Sequence, residues 1–296
     1  MLPAMAGKPQ IAIVGAGNLA AALAVSLGRA GYNIEAVIFR PGRLSLRKAE
    51  QLAQGVKARA LAANRLADLR SEVIWFCVPD AQIGRAARTV ADAIDWRRRV
   101  VFHSSGALTS DELAPLRDRG ASVASVHPFM TFVRGSRPPL AGVPFAIEGD
   151  TRAVRIARRM VRDLGGEAHP IRKADKAAYH AWGTFSSPLL AALFETGEQV
   201  AALAGVKRAA ARRRMIPILL QTLANYAASD AARAFSGPIV RGDTDTVARH
   251  LRVLRALPNA LEVYTVLARS AIRSLPAQNK RELMRILNST KLAPPA

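Results

Sequence analysis

Three sets of residues in this chain have the types and spacing to do chemistry: a glycine turn near the start, a group of serines and histidines at strand ends, and a lysine–histidine pair four residues apart. Gly15-Ala16-Gly17-Asn18-Leu19-Ala20 follows the apolar run Ile11-Ala12-Ile13-Val14 and precedes an alanine-rich stretch that reaches Arg29 and closes at Ala30-Gly31. Strand, glycine turn and helix in that order are the setting in which G-x-G-x-x-A binds the pyrophosphate of a dinucleotide. Gly15 permits the tight turn, Gly17 lets phosphates approach the backbone, and Ala20 is small enough for close helix–strand packing. Gly15, Ala16, Gly17, Asn18 and Leu19 are the expected cradle, with the anion on the unpaired N–H groups at the helix start.

The end of the second strand selects the nucleotide. Ile34 to Phe39 reads as that strand, with Arg40 at its end and Arg43 close behind. NAD-binding versions place a carboxylate there for the ribose 2′-hydroxyl, whereas an arginine suits a 2′-phosphate. Glu35 lies too early in the strand to serve. The expected cofactor is therefore NADP rather than NAD, with Arg40 and Arg43 on the extra phosphate.

In an open parallel sheet, ligands lie beyond the carboxyl ends of the strands. One strand runs into Val78-Pro79-Asp80, the next into His103-Ser104-Ser105-Gly106, and another into His127-Pro128-Phe129-Met130-Thr131-Phe132. Hydroxyls and imidazoles then face one crevice, where Ser104, Ser105 and His127 would orient a substrate; each of them also fits the simpler task of capping a turn. Farther on, Lys176 and His180 share a helix face. A lysine beside a bound carbonyl or imine can protonate it, provided partial burial lowers its pKa. Arg241, in Gly237-Pro238-Ile239-Val240-Arg241-Gly242-Asp243, either clamps a substrate carboxylate in bidentate fashion or pairs with Asp243 to shape the turn.

Composition narrows the classes. The chain has 296 residues and a formal net charge of +21. By count, residues 1–172 contribute +11 (25 basic, 14 acidic) and residues 173–296 contribute +10 (18 basic, 8 acidic). An excess spread so evenly, with aromatics at only 5%, argues against nucleic-acid binding. No apolar run approaches the ~20 residues of a membrane span, and a first strand near residue 10 leaves no room for a signal peptide, so a cytoplasmic protein is expected. The single cysteine, Cys77, can neither staple the fold nor build a metal cluster. No two histidines have ligand spacing beside a carboxylate pair, so no metal is expected. No G-x-S-x-G elbow is present to support a hydrolase.

These residues need a scaffold, and the periodicity supplies one. Strands are predicted at 10–14, 34–39, 73–78, 99–103, 122–126 and 144–148, with a last short one at 167–171 and helical segments between several of them. The pattern implies an α/β fold with a Rossmann-like, doubly wound parallel sheet. Asp150 to Leu164 reads as an amphipathic helix with a basic outer face, ended by Gly165-Gly166. From Lys173 onward only helical periodicity persists, broken near Gly205, Ser236-Gly237-Pro238, Pro258 and Pro276. A boundary near 172 therefore divides a nucleotide-binding domain, 1–172, from an all-helical domain, 173–296. Pro188 and Pro217 should kink or restart their helices, and Pro294-Pro295-Ala296 should fray.

Several of these motifs occur together in one family. Ile11–Ala20, Val78-Pro79-Asp80, His103–Gly106, His127–Phe132, Phe145–Asp150, Tyr179-His180, Gly237–Asp243 and His250-Leu251, in that order, resemble bacterial proteins that join a Rossmann-like domain to a helical domain of unknown function, number 2520. The resemblance covers nearly the whole length. It implies kinship with the group of 6-phosphogluconate dehydrogenase, ketopantoate reductase and pyrroline-5-carboxylate reductase. It also implies NADP as cofactor, but no particular substrate. In that wider group a lysine on the catalytic helix is commonly followed four residues later by asparagine or a similar polar residue; Lys176 and His180 match the spacing, with histidine in the second place. Many members also carry an asparagine farther along this helix, where this chain has Pro188, a role that Ser186 or Ser187 could take over.

The combined expectation is an NADP-dependent oxidoreductase acting on a small carbonyl, imine or hydroxy compound. Val78 and Pro79 would line the path toward the nicotinamide, Lys176 seconded by His180 would act as acid or base, and the helical domain would form a homodimer. The rival is a non-catalytic NADP-binding redox sensor or scaffold. Reaction direction, and whether a deazaflavin is the redox partner, stay open at this level.

Overall fold

The apolar run at the start of the chain forms β1 (Ile11–Val14), a strand buried along its whole length. Its side chains alternate between two cores: Ile11 and Ile13 join one layer, Ala12 and Val14 the other. That two-sided burial is what an inner strand of a helix-covered parallel sheet requires. The structure, a computed structural model, describes residues 7–289; the expected fraying of 294–296 lies outside them.

The other strands are β2 (Ile34–Phe39), β3 (Arg59–Ala62), β4 (Val73–Phe76), β5 (Val100–His103), β6 (Ser122–Pro128), β7 (Pro144–Gly149) and β8 (Glu167–Pro170). They form one sheet in the order β3-β2-β1-β4-β5-β6-β7-β8. Helices α1 (Asn18–Arg29), α2 (Arg43–Gly55) and α5 (Thr151–Asp163) bury residues in one layer, and α3 (Ile83–Val90) and the single turn α4 (Ala114–Arg117) do so in the other. Helix α5 buries Ala153, Ala157, Met160 and Val161, a stripe with helical spacing, and leaves its arginines outside.

Two features depart from the sequence reading. The β6–β7 pair is antiparallel while the other pairs are parallel. A parallel return needs a crossover of a dozen or more residues, usually helical, and the segment from Phe129 to Val143 contains no helix. Strand β3 was also not foreseen. Arg59-Ala60-Leu61-Ala62 has no β-branched or aromatic residue, and it is a strand because β2 offers it an edge, pairing Ala36 with Arg59 and Phe39 with Ala62.

Residues 7–289 divide into two compact units that part between Phe185 and Ser186. Helix α6 (Lys176–Ser186) thus lies almost entirely with the sheet, although its sequence reads as the start of the helical region. The second unit contains α7 (Pro188–Leu203), α8 (Arg208–Ala228), α9 (Ala231–Ala234), α10 (Thr244–Leu254), α11 (Pro258–Ser274) and α12 (Lys280–Ser289). Its core joins Val247, Leu251 and Leu254 to Leu261, Ala268 and Ile272 of α11 and to Leu283 and Leu287 of α12. Pro188 starts a new helix, as expected, and Pro217 lies inside α8 without ending it. Among the described residues no single helix is long and apolar enough to cross a membrane.

Candidate active site

The turn after β1 is shaped by one close approach. Gly15 has φ +106°, and a Cβ placed on it would lie 2.6 Å from the Cys77 carbonyl oxygen and 3.2 Å from Val78 Cγ1. Only glycine fits there, for steric and for conformational reasons. Gly17 differs: a Cβ on it would meet nothing within 4 Å, so the room beside it is not filled by protein. Gly17 is also the N-cap of α1 and offers no side-chain bond to the first turn, which holds no acidic residue. The opening N–H groups of α1 are therefore available to an anion, at the positive end of the helix dipole. Asn18 donates from Nδ2 to the Phe132 carbonyl at 3.1 Å, tying this turn to the loop after β6.

Arg40 and Arg43 are exposed at the end of β2 and the start of α2, and neither is ion-paired or hydrogen-bonded through its side chain among the described residues. Glu35 is excluded from ribose binding by its bonds. Its carboxylate accepts from Ser71 Oγ at 2.6 Å, from the Arg70 amide at 3.0 Å and from Arg59 Nη2 at 2.6 Å. Burial opposes its charge, but these donors prevail and hold its pKa below the ordinary carboxylate range. The donor set of this end of the sheet thus fits a dinucleotide carrying an extra phosphate: open amides, an open glycine and two uncommitted guanidinium groups.

The strand ends beside it are knitted together. His103 is fully buried; its ring accepts from the Ser105 amide at Nδ1 (3.1 Å) and donates from Nε2 to the Thr109 carbonyl (2.9 Å). Burial drives its pKa down to about 4, so it is a neutral strut. Ser104 Oγ accepts from Trp75 Nε1 at 2.8 Å. Ser105 Oγ donates to Asp80 Oδ2 at 2.6 Å and accepts from the Leu108 amide at 2.9 Å. The hydroxyls of Ser104 and Ser105 are thereby engaged in holding the turn.

Lys176, the first residue of α6, is 1% exposed. Its ammonium donates to the Ser105 carbonyl at 3.0 Å and to Ser125 Oγ at 2.8 Å. Burial lowers its pKa to about 8 against the opposing pull of the Glu148 and Asp80 carboxylates. His127 donates from Nδ1 to the Ser104 carbonyl at 2.9 Å, which leaves Nε2 as the ring's other polar atom; burial lowers its pKa too. A Cβ on Gly106 would fall 2.8 Å from His127 Nε2 and 2.7 Å from His180 Cδ2. Gly106 is what lets both imidazoles sit close over the turn, with ring centroids 6.3 Å apart. Phe129, Tyr179 and Trp182 complete an aromatic wall, Phe129 lying 5.1 Å from Tyr179 and 4.4 Å from Trp182.

The first unit thus brings together Lys176, His180, His127, Ser104 and Ser105, and sets Val78 against the glycine turn. Arg241 belongs to the second unit, exposed in the turn before α10, where Asp243 caps the helix by accepting from the Thr246 amide. Two contributors escaped the sequence reading. Ser125 was hidden inside an apparently apolar strand, although a serine two residues before His127 points to the same side of β6 and a buried hydroxyl needs a partner. Asp80 was read as lying just past a strand end, with no role given to it. Among the described residues no group of three His, Cys, Asp or Glu side chains could hold a metal ion.

A mostly parallel, doubly wound sheet with an open glycine turn defines the Rossmann-like class. Residues 5–128 match the Rossmann-like domain, and residues 143–271 match the domain of unknown function DUF2520. The chain thus joins a Rossmann-like domain to a DUF2520 domain. Compared with curated proteins by sequence, it has no match. Among solved structures it is similar to a Bacteroides fragilis protein provisionally named an NADP oxidoreductase, BF3122 (20% identity, 89% of this chain and 97% of the other, TM-score 0.74). It is also similar to protein TM1727 from Thermotoga maritima (21%, 94% and 98%, 0.68). A third similar structure is a reductive aminase from Aspergillus terreus in complex with NADPH and ethyl-5-oxohexanoate (13%, 94% and 99%, 0.63). At these identities the likeness is one of fold.

Proposed function

We propose that this protein is an NADP-dependent reductase or dehydrogenase acting on a small carbonyl, imine or hydroxy compound. The observation that carries the reading is the turn after β1, closed to a side chain at Gly15 and open at Gly17. The backbone from Gly15 to Leu19 would hold the pyrophosphate, Arg40 and Arg43 the 2′-phosphate, and Val78 and Pro79 the approach to the nicotinamide. When bound, the coenzyme supplies or accepts hydride. The names of the reductive aminase and the Bacteroides protein support that chemistry by likeness of fold.

In this reading the protein's own part is proton management. Lys176, with its pKa near 8, holds a proton that can be surrendered close to neutral pH. Its two donor bonds fix the ammonium against the Ser105 carbonyl and the Ser125 hydroxyl. His127 and His180 lie close over the turn at 103–106 and would meet the substrate, with Ser104 and Ser105 fixing their platform and the Phe129–Tyr179–Trp182 wall covering its apolar part. We also infer a homodimer through the second unit, because α8 leaves Ile218, Leu220 and Leu223 more than 60% exposed. Leu220→Glu with Leu223→Glu should then give a monomer in sedimentation.

The test has two stages. Calorimetry should register NADPH binding, stronger than NADH binding; no heat with either coenzyme overturns the reading. Lys176→Met should then bind NADPH normally but lose turnover of whichever carbonyl or imine substrate a metabolite panel reveals. Full turnover in that variant removes Lys176 from the chemistry. A panel with no acceptor at all, despite tight NADPH binding, favours the redox-sensor reading.

A further inference from the structure

The outer face of α5 forms a groove that the coenzyme reading leaves unused. Arg155, Arg158 and Arg162 line a cavity of ≈ 750 Å³ whose lining also includes Val154, Ala168 and Glu167. The three arginines follow helical spacing, so their side chains leave one face of α5 over a rise of about 10 Å. All three are exposed, and among the described residues none has a side-chain hydrogen bond or ion pair. Some arginines of the same unit are committed, Arg59 to Glu35, Arg117 to Asp111 and Asp150, Arg119 to Asp92, and Arg172 to Asp175; what sets these three apart is that they line one concavity.

Three unpartnered guanidinium groups lining one concavity outnumber its one carboxylate, Glu167, and leave an excess positive charge that an anion would offset. A guanidinium fork matches phosphate geometry in bidentate fashion. The lining holds no aromatic residue, so it has no platform for stacking the bases of a nucleic acid. Strand β8, the sheet edge beside the groove, is only four residues long and ends at Pro170, which discourages the docking of a peptide strand. What remains is a compact ligand whose negative charge extends over about 10 Å.

We propose that this groove binds a small polyphosphorylated molecule, recognised through its phosphates by Arg155, Arg158 and Arg162. The site is separate from the glycine turn: β8 lies five strand spacings from β1, about 24 Å across the sheet. The proposal therefore stands whether or not the coenzyme reading does.

The probe is inorganic tripolyphosphate, titrated into the full chain by calorimetry at about 0.15 M salt, where diffuse surface attraction is screened. Saturable binding is expected. It should weaken at least tenfold in Arg155→Gln/Arg158→Gln/Arg162→Gln and persist in Arg40→Ser/Arg43→Ser. A third variant, Arg213→Gln/Arg214→Gln/Arg252→Gln, removes the same charge elsewhere and should also bind normally. An equal loss in this third variant, unchanged binding in the first, or no saturable heat in the parent protein overturns the site. The single variant Arg158→Glu gives the same reading with one exposed change, and circular dichroism melting should be unaltered in it.

Discussion

The turn after β1 and the turn after β5 leave the same edge of one sheet, yet they follow opposite plans. At the first, Gly17 faces open space, the opening amides of α1 have no side-chain cap, and Arg40 and Arg43 stand uncommitted nearby. At the second, both ring nitrogens of His103, the hydroxyls of Ser104 and Ser105, and the ammonium of Lys176 are all bonded within the protein. Unclaimed donors make a place where a ligand can bind. Satisfied donors make a place whose geometry is fixed before a ligand arrives. Fixed geometry also keeps Lys176 dry, and dryness moves its pKa toward neutrality.

The sharpest way to break this contrast is at Lys176. Losing a positioned proton donor typically costs roughly 10²–10⁴-fold in rate, so Lys176→Met should lose turnover on that scale while NADPH affinity stays within about twofold. In the parent protein, reduction that consumes the lysine's proton should decline as pH rises past about 8, and that limb should vanish from the residual activity of the variant. Stability carries a matching sign. The folded pKa lies below the ordinary 10.5, so the unfolded chain binds more protons between about 8 and 10.5, and stability should rise with pH across that window.

His103 provides a stability test of the sealed turn. Its folded pKa is about 4 against an ordinary 6.5. Its buried neutral ring contributes fully above pH 6.5, and the contribution is lost as pH falls toward 4. A shift of that size corresponds to roughly 3 kcal/mol. Denaturant melts of His103→Gln should show a shallower decline between those pH values; an identical decline would mean that other groups drive the acid response.

How much of this was legible beforehand follows from the same contrast. The open turn could be read because its function lies in backbone conformation, and glycine marks special backbone directly. Strands such as Val73–Phe76 were legible because two-sided burial demands unbroken apolar runs. Strand β3 was not, since its pairing partner rather than its composition makes it a strand. The sealed turn was legible only as a list of polar residues at strand ends. Which hydroxyls are committed depends on Trp75 beneath Ser104 and on Asp80 beside Ser105, contacts between strands far apart in the chain. The attachment of α6 to the sheet was invisible for a related reason. Helical periodicity says nothing of where an end docks, and here the docking is made by one buried ammonium against β6 and the turn after β5, and by the rings of Tyr179, His180 and Trp182 against His127 and Phe129.

The smallest change in stability is expected at one of the two glycines of the open turn, Gly17, and the pair separates shape from binding. Gly15→Ala forces a side chain into φ +106° and against the Cys77 carbonyl, so it should destabilise the fold by about 2 kcal/mol or more and abolish coenzyme binding with it. Gly17→Ala meets no neighbour, and its φ of −82° suits any residue. The cost at this N-cap should stay under about 1 kcal/mol. If phosphates occupy the space that the missing side chain leaves, NADPH affinity should still fall at least tenfold, with the melting curve nearly unchanged. Equal loss of stability in the two variants would mean that both glycines merely build the turn, and unchanged affinity in Gly17→Ala would place the pyrophosphate elsewhere.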